Sequence, residues 1–136
     1  MPKQRSTPRV VCCAIPIART TGQILLITSR KRGDQWVFPK GGFEPTDQSW
    51  EAAASREALE EAGVRGVISR RVTTIQAPAA IYHVFELEVT NVEADWLEKG
   101  ERRREWVDYA TACSRLQWKP ELLQGLMLST LAQQQR

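Results

Sequence analysis

Residues 49–62, SWEAAASREALEEA, narrow the fold more than any other segment. Ala, Leu and Glu dominate, all strong helix formers. The spacing predicts a helix with Ser49 as N-cap and Gly63 as C-terminal stop. At ~100° per residue, Glu57, Glu60 and Glu61 share one sector of that helix. Ala54, Ala58 and Ala62 step by four along a neighbouring sector. Such small side chains let a helix lie close against a sheet, with the carboxylates at the edge of the contact. Glu57 and Glu61 are like charges at i, i+4, which repel more strongly once desolvated. A divalent cation removes the conflict, and Mg²⁺ takes oxygen ligands while leaving positions for water and phosphate. Arg56 is spaced to pair with Glu60 and hold it. Taken alone, the same helix also fits a Glu-rich, solvated surface.

The flanking segments read mostly as strands. Residues 9–19, RVVCCAIPIAR, form an apolar run whose Pro16 predicts a bulge or an edge position. Thr20, Thr21 and Gly22 read as a turn, and residues 23–30 as a second strand that closes a hairpin. A loop, a short apolar piece (Trp36 to Pro39) and then Lys40, Gly41 and Gly42 lead towards the helix. Two glycines let backbone approach a phosphate or a metal unobstructed, and the loop delivers its ligand near a helix N-terminus, which favours anions. Residues 66–76 and 80–90 read as strands, the second with clear alternation, and Glu105 to Tyr109 as a short one. Residues 110–116 and 121–134 read as helices, with Pro120 in the first turn. The order β-β-α-β-β-β-α-α predicts an α/β fold, one sheet with helices on its faces.

A chain of 136 residues suits one domain, 1–136, with its core over about 9–126. With 42% hydrophobic and 26% charged residues, disorder is excluded as the main state. No apolar run approaches a membrane span, so no membrane partner is expected. The segment Met1 to Arg9 lacks an apolar signal core. A cytoplasmic location is expected, with the nucleus as alternative; secretion would need a trimmed leader. Cys12, Cys13 and Cys113 read as buried small hydrophobes in a reducing compartment, and no Cys-x-x-Cys pair supports zinc. Residues 1–40 carry eight basic side chains against one acid, about +7, while 41–136 carry 11 against 15, about −4. That split suits a small polyanion held between cationic side chains and metal ions. The acidic second half argues against nucleic acid. A monomer is expected. His83, the only histidine, shares strand parity with Ile81 and Phe85 and reads as structural. Trp36 reads as a pocket wall or a core residue, and the other four tryptophans as packing.

The stretch from Gly41 to Val64 resembles the Nudix box: Gly, five residues, Glu, seven residues, then R-E-U-x-E-E-x-G-U with U aliphatic. Arg56, Glu57, Ala58, Leu59, Glu60, Glu61, Ala62, Gly63 and Val64 match its second half. The first half departs twice: Asp47 stands where Glu is usual, and eight residues rather than seven separate it from Arg56. The run Trp36 to Gly42, the extra residue, the run Arg102 to Trp106, and Lys119 with Pro120 are similar to the fungal branch of the diphosphoinositol polyphosphate phosphohydrolases. The likeness runs from about Arg9 to Leu126.

That resemblance implies a Nudix-type α/β/α sandwich with a mixed sheet, dependence on Mg²⁺ with Mn²⁺ as alternative, and inositol pyrophosphates, diadenosine polyphosphates or polyphosphate as substrates. It implies metal binding by Glu57 and Glu61, with Glu60 as ligand or support and the Lys40 carbonyl as a further ligand. Catalytic roles fall to Glu57, Glu61 and Arg56, with Glu57 as general base and Glu61 as the alternative. Phosphates are assigned to Arg9, Ser29, Arg30, Lys31, Lys40, Gly41, Gly42, Arg102, Arg103, Arg104 and Lys119. Vertebrate members carry basic residues just before the fourth strand, where this chain has Ala77, Pro78, Ala79 and Ala80; Arg70 or Arg71 would have to supply that contact. Two rival readings stay open: a Nudix hydrolase of nucleoside triphosphates or RNA caps, and a catalytically silent phosphate-binding module.

Overall fold

The computed structural model describes residues 7–134, so Lys3 and Arg5 of the basic segment lie outside the described residues. Seven strands form one mixed sheet: β1 (Arg9–Ala18), β2 (Gln23–Thr28), β3 (Trp36–Val37), β4 (Lys40–Gly42), β5 (Val64–Gln76), β6 (Ala80–Val92) and β7 (Arg104–Val107). The helices are α1 (Trp50–Glu57), α2 (Tyr109–Arg115), α3 (Pro120–Met127) and α4 (Thr130–Gln133). β1 runs parallel to β6 along nine residue pairs from Arg9↔Ala80 to Ile17↔Glu88. Its burial is almost continuous, as a strand covered on both faces requires.

Successive residues of β6 show what covers each face. His83 stacks on Trp50 of α1, at 3.6 Å between ring centroids. The next residue, Val84, lies 3.3 Å from where a side chain on Gly125 of α3 would begin. Neighbouring strand residues point to opposite faces, so α1 and α3 sandwich the sheet. The α/β class read from the element order is therefore present, with helices on both faces.

The β1–β2 hairpin is much shorter than the sequence pattern predicts. Only Ile17↔Ile24 and Ala18↔Gln23 are paired before the strands diverge. The segment 36–42 fills the divergence: β3 pairs with β2 through Ile27↔Val37 and Thr28↔Trp36, and β4 pairs with β1 from Val11↔Gly42 to Cys13↔Lys40. Between them, the Ala14 amide donates to the Pro39 carbonyl. Strand amides alternate sides, so residue 16 presents its nitrogen to the same splayed gap. Proline, which has no N–H to donate, fits there at no cost. Pro16 thus occupies a central strand, not an edge or a bulge. The bulges lie in the β5–β6 hairpin, where the register shifts three times.

α1 begins at Ser49, whose hydroxyl accepts from the Ala52 amide. After Glu57 the helix widens into a π turn over Ala58–Ala62. The Gly63 amide reaches back to the Ala58 carbonyl, and Gly63 ends the turn with φ +68°. The long C-terminal helix expected over 121–134 is instead two, α3 and α4, broken at Leu128 and Ser129.

Candidate active site

The splayed strands place β4 under the helix that carries the glutamates. Ala53, Ala54, Ala58 and Ala62 are completely buried, so α1 and its π turn lie close on the sheet. The closeness is tightest at Gly41, where a β-carbon would stand 2.0 Å from Glu57 Oε2. The Lys40 amide, on the same strand, donates to Glu61 Oε1 at 3.2 Å. Glu57 and Glu61 are only 7% and 6% exposed, and their carboxyls face each other. Burial first, and then the neighbouring Glu57, push the Glu61 carboxyl up to about 8 against the pull of Arg102. Two acids held this way favour a shared proton or a shared cation.

Arg56 orders this arrangement from behind. Its Nε and Nη2 donate to the two Asp47 oxygens, each at 2.9 Å, and Nη2 also donates to the Gly42 carbonyl at 3.3 Å. Nη1 reaches Glu57 Oε2 at 3.2 Å and Glu60 Oε1 at 3.4 Å. The guanidinium holds the Asp47 carboxyl below its ordinary range. Asp47 in turn accepts from the Glu44 amide at 2.8 Å, which closes the turn from Glu44 to Asp47. Arg56, assigned a catalytic role by resemblance, donates to these five oxygens and does not itself line the cleft. Glu60 keeps its Arg56 partner but does not line the cleft either.

A cleft of about 780 Å³ opens in front of Glu57 and Glu61. The chain brings cations to it from well-separated segments: Arg9 from β1, Arg30, Lys31 and Arg32 from the loop after β2, Lys40 from β4, then Arg102 and Lys119. Ser29, Gly41 and Gly42 also line it. Arg102 is largely enclosed. Its guanidinium donates to Glu98 Oε1 at 2.7 Å and to the Thr28 carbonyl at 2.8 Å, and lies 3.6 Å from Glu61 Oε1. Lys40 is buried deeply enough that its ammonium falls below its ordinary range, with Lys119 and Arg102 adding to the effect.

Two residues of the Arg102–Arg104 run do not line the cleft. The Arg104 guanidinium donates to the carbonyls of Ala62 at 2.9 Å and Glu93 at 2.8 Å and stacks 3.8 Å over Trp96. Trp96 itself donates to the Glu61 carbonyl at 3.1 Å. Together they satisfy the open carbonyls at the end of the helix. Arg103 alternates to the other side of the chain, where its exposed guanidinium lies over Trp36. Alternation separates Arg103 from Arg102 and Arg104, and Arg104 is drawn away from the cleft by the carbonyls of Ala62 and Glu93. Arg70 and Arg71 line a different groove beside Ser49 and Glu51, and Arg70 pairs there with the fully buried Glu86. His83 is enclosed by Trp50, Thr74 and Arg71, far from acid–base work in the cleft. Trp36 walls no part of the cleft; its carbonyl accepts from Trp118. Sequence reasoning missed Glu98, Phe43, Tyr82 and Trp118, all of which line the cleft. Glu98 stands four residues before Arg102, a spacing that could have signalled the pair.

The NUDIX domain family matches residues 7–126. The chain belongs to the Nudix hydrolase family. Mouse diphosphoinositol polyphosphate phosphohydrolase 3-alpha is 36% identical over 100 residues, covering 70% of this chain and 60% of that protein. Nudix hydrolase 13, mitochondrial, of Arabidopsis thaliana is 34% identical over 122 residues, covering 77% of this chain and 59% of that protein. The chain spans about 60% of the length of these curated relatives. A solved Nudix hydrolase from Nitrosomonas europaea superposes with a TM-score of 0.76 at 22% identity, covering 90% of this chain and 88% of that one. It shows the shared Nudix fold. Nudix hydrolases generally use a divalent metal such as Mg²⁺. Among the described residues no three His, Cys, Asp or Glu side chains are grouped so as to hold a metal ion by themselves. The paired Glu57 and Glu61 nevertheless fit Mg²⁺, which is typically held by one or two carboxylates plus substrate phosphates. Among the described residues, no helix is long and apolar enough to cross a membrane.

Proposed function

We propose that this chain is a metal-dependent phosphoanhydride hydrolase acting on diphosphoinositol polyphosphates and also on diadenosine polyphosphates. One observation carries the reading: two buried, facing carboxylates lie at the floor of a cleft rimmed by cations from five separate segments. A substrate with phosphates in several directions uses all of those cations; a triphosphate uses fewer. The relatives named diphosphoinositol polyphosphate phosphohydrolase support the same substrate class.

Glu57 and Glu61, with the Lys40 backbone, would hold Mg²⁺ or Mn²⁺, and Glu60 would support them from the Arg56 network. When bound, the cation offsets phosphate charge and lowers the pKa of a water. Glu57, or Glu61 as the alternative, accepts a proton from the attacking water. Lys40, Arg102 and Lys119 hold the phosphates around the reacting phosphorus and stabilise the leaving group's charge. Arg9, Arg30 and Lys31 bind the outer phosphates. The substrate is a small polyanion, and the three free cysteines fit a reducing cytoplasm.

Phosphate release measured with and without EDTA tests the chemistry: release in Mg²⁺ that EDTA abolishes is expected. No release from any polyphosphate in Mg²⁺ would instead favour a silent binding module. Comparing kcat/KM for a diphosphoinositol pentakisphosphate, diadenosine hexaphosphate and a nucleoside triphosphate tests the substrate class. A tenfold preference for the triphosphate would overturn it.

A further inference from the structure

Three aromatic side chains line the cleft, and they are not equivalent. Tyr82 is buried, only 8% exposed. Trp118 has its indole N–H committed to the Trp36 carbonyl at 2.9 Å, and both Arg32 and Lys119 lie over its ring within 6 Å. It serves as a platform for the chain's own cations. Phe43 is different. It is 40% exposed at the cleft, and among the described residues its ring has no aromatic or cationic partner. Its backbone is nonetheless fixed, because its amide donates to the Val10 carbonyl at 3.1 Å. The preceding residue, Gly42, is flanked by the Arg9 guanidinium: a β-carbon there would meet Arg9 Nη2 at 3.2 Å. A phosphate cation and an open aromatic face therefore stand one residue apart at the cleft.

We propose that Phe43 is a specificity-determining residue that stacks a nucleobase of a dinucleoside polyphosphate whose adjoining phosphate Arg9 holds. The proposal rests on the polyphosphate-hydrolase reading above and explains how one cleft takes two substrate classes. The cations serve both. Phe43 serves only the substrate with a planar π-system, because a phosphorylated inositol ring is saturated and charged on every side. Every nucleobase has a π-face, so the contact favours nucleotides without choosing strongly among bases.

The test compares wild type with Phe43→Ala, Phe43→Leu and Phe43→Tyr in Mg²⁺, after melting curves confirm that each is folded. KM for diadenosine hexaphosphate is expected to rise about tenfold in Phe43→Ala, the loss typical of one stacked base. KM for diphosphoinositol pentakisphosphate is expected to move less than twofold, with kcat similar for both. Phe43→Leu keeps the apolar bulk and loses the π-face, so it should behave as Ala; Phe43→Tyr should behave as wild type. Equal rises for the two substrates, or wild-type behaviour of Phe43→Leu, overturns the proposal. A calorimetric titration with a methylene-bridged diadenosine polyphosphate gives the same comparison without turnover. If wild type hydrolyses neither substrate, the hydrolase reading has failed, and this titration still decides the role of Phe43: weaker binding by Phe43→Ala supports it, and unchanged binding sinks it.

Discussion

Gly41 and Gly42 are neighbours in one strand, yet alanine at each should give opposite outcomes. Neither has a positive φ, so backbone strain is not at issue. At Gly42 the nearest obstacle to a β-carbon is the flexible end of Arg9 at 3.2 Å, which can yield by a few tenths of an ångström. At Gly41 the obstacles are Oε2, Cδ and Oε1 of Glu57, at 2.0, 2.3 and 2.7 Å. A carbon needs at least about 3 Å of clearance, so that carboxylate must retreat by about 1 Å. The strand cannot yield in its place, because Cys12↔Gly41 sits mid-ladder, and the helix rests on fully buried alanines. Misplacing a reacting group by about 1 Å costs on the order of 10²-fold in rate, or about 3 kcal/mol of barrier. Folding stability should change little, since alanine also restricts the unfolded chain. The assay is Mg²⁺-dependent phosphate release, paired with thermal melts. Gly41→Ala should lose about 10²-fold in kcat/KM with a melting temperature near wild type, and Gly42→Ala should stay within a few-fold. A fully active, folded Gly41→Ala, or equal losses at the two positions, would refute the steric reasoning.

In EDTA, protonated Glu61 stabilises the fold below the unfolded carboxylate range, and that contribution is lost as pH rises through about 8. Melts at pH 5.5 and 8.5 should thus show wild type losing on the order of a few kcal/mol, a loss that Glu61→Gln blunts and millimolar Mg²⁺ offsets; parallel pH profiles for the two proteins would count against the buried acid pair. Glu61→Gln should also cut turnover by about 10²-fold, checked by phosphate release from the folded variant. Asp47→Asn loosens Arg56 without touching the cleft, and should raise the Mg²⁺ needed for half-maximal activity by about 10-fold, read from a metal titration. Gly63→Ala forces a side chain into φ +68° and against Trp96 at 2.8 Å, and urea unfolding should show a loss of about 2 kcal/mol or more.

The helix was legible because every local signal agreed: Ser49 caps, alanines pack, and Gly63 stops. The π turn was not, because 3.6-residue periodicity is blind to one wider turn, and it falls where the glutamates are. The hairpin read from two apolar runs was too long, since nothing in residues 9–30 announces that another segment pairs inside it. Trp36–Val37 and Lys40–Gly42 are too short to show alternation, so two strands passed as loop. In the site, isolated cations such as Arg9, Lys40 and Lys119 come together along one cleft. Arg103 and Arg104 do not line it: Arg103 alternates to the other side of the chain, and Arg104 is held by the carbonyls of Ala62 and Glu93. Phe43 carried no sequence signal at all; its meaning is its exposure.

The helix end held by Arg104 and Trp96 has a dynamic consequence. Residues 56–63 are pinned at one end by Asp47 and Arg56 and at the other by side chains from 93–104. Neither end can fray alone. Their amides should exchange with deuterium only when the surrounding sheet opens, as one cooperative unit. The carboxylates would then be as slow to escape their alignment as the core is to unfold.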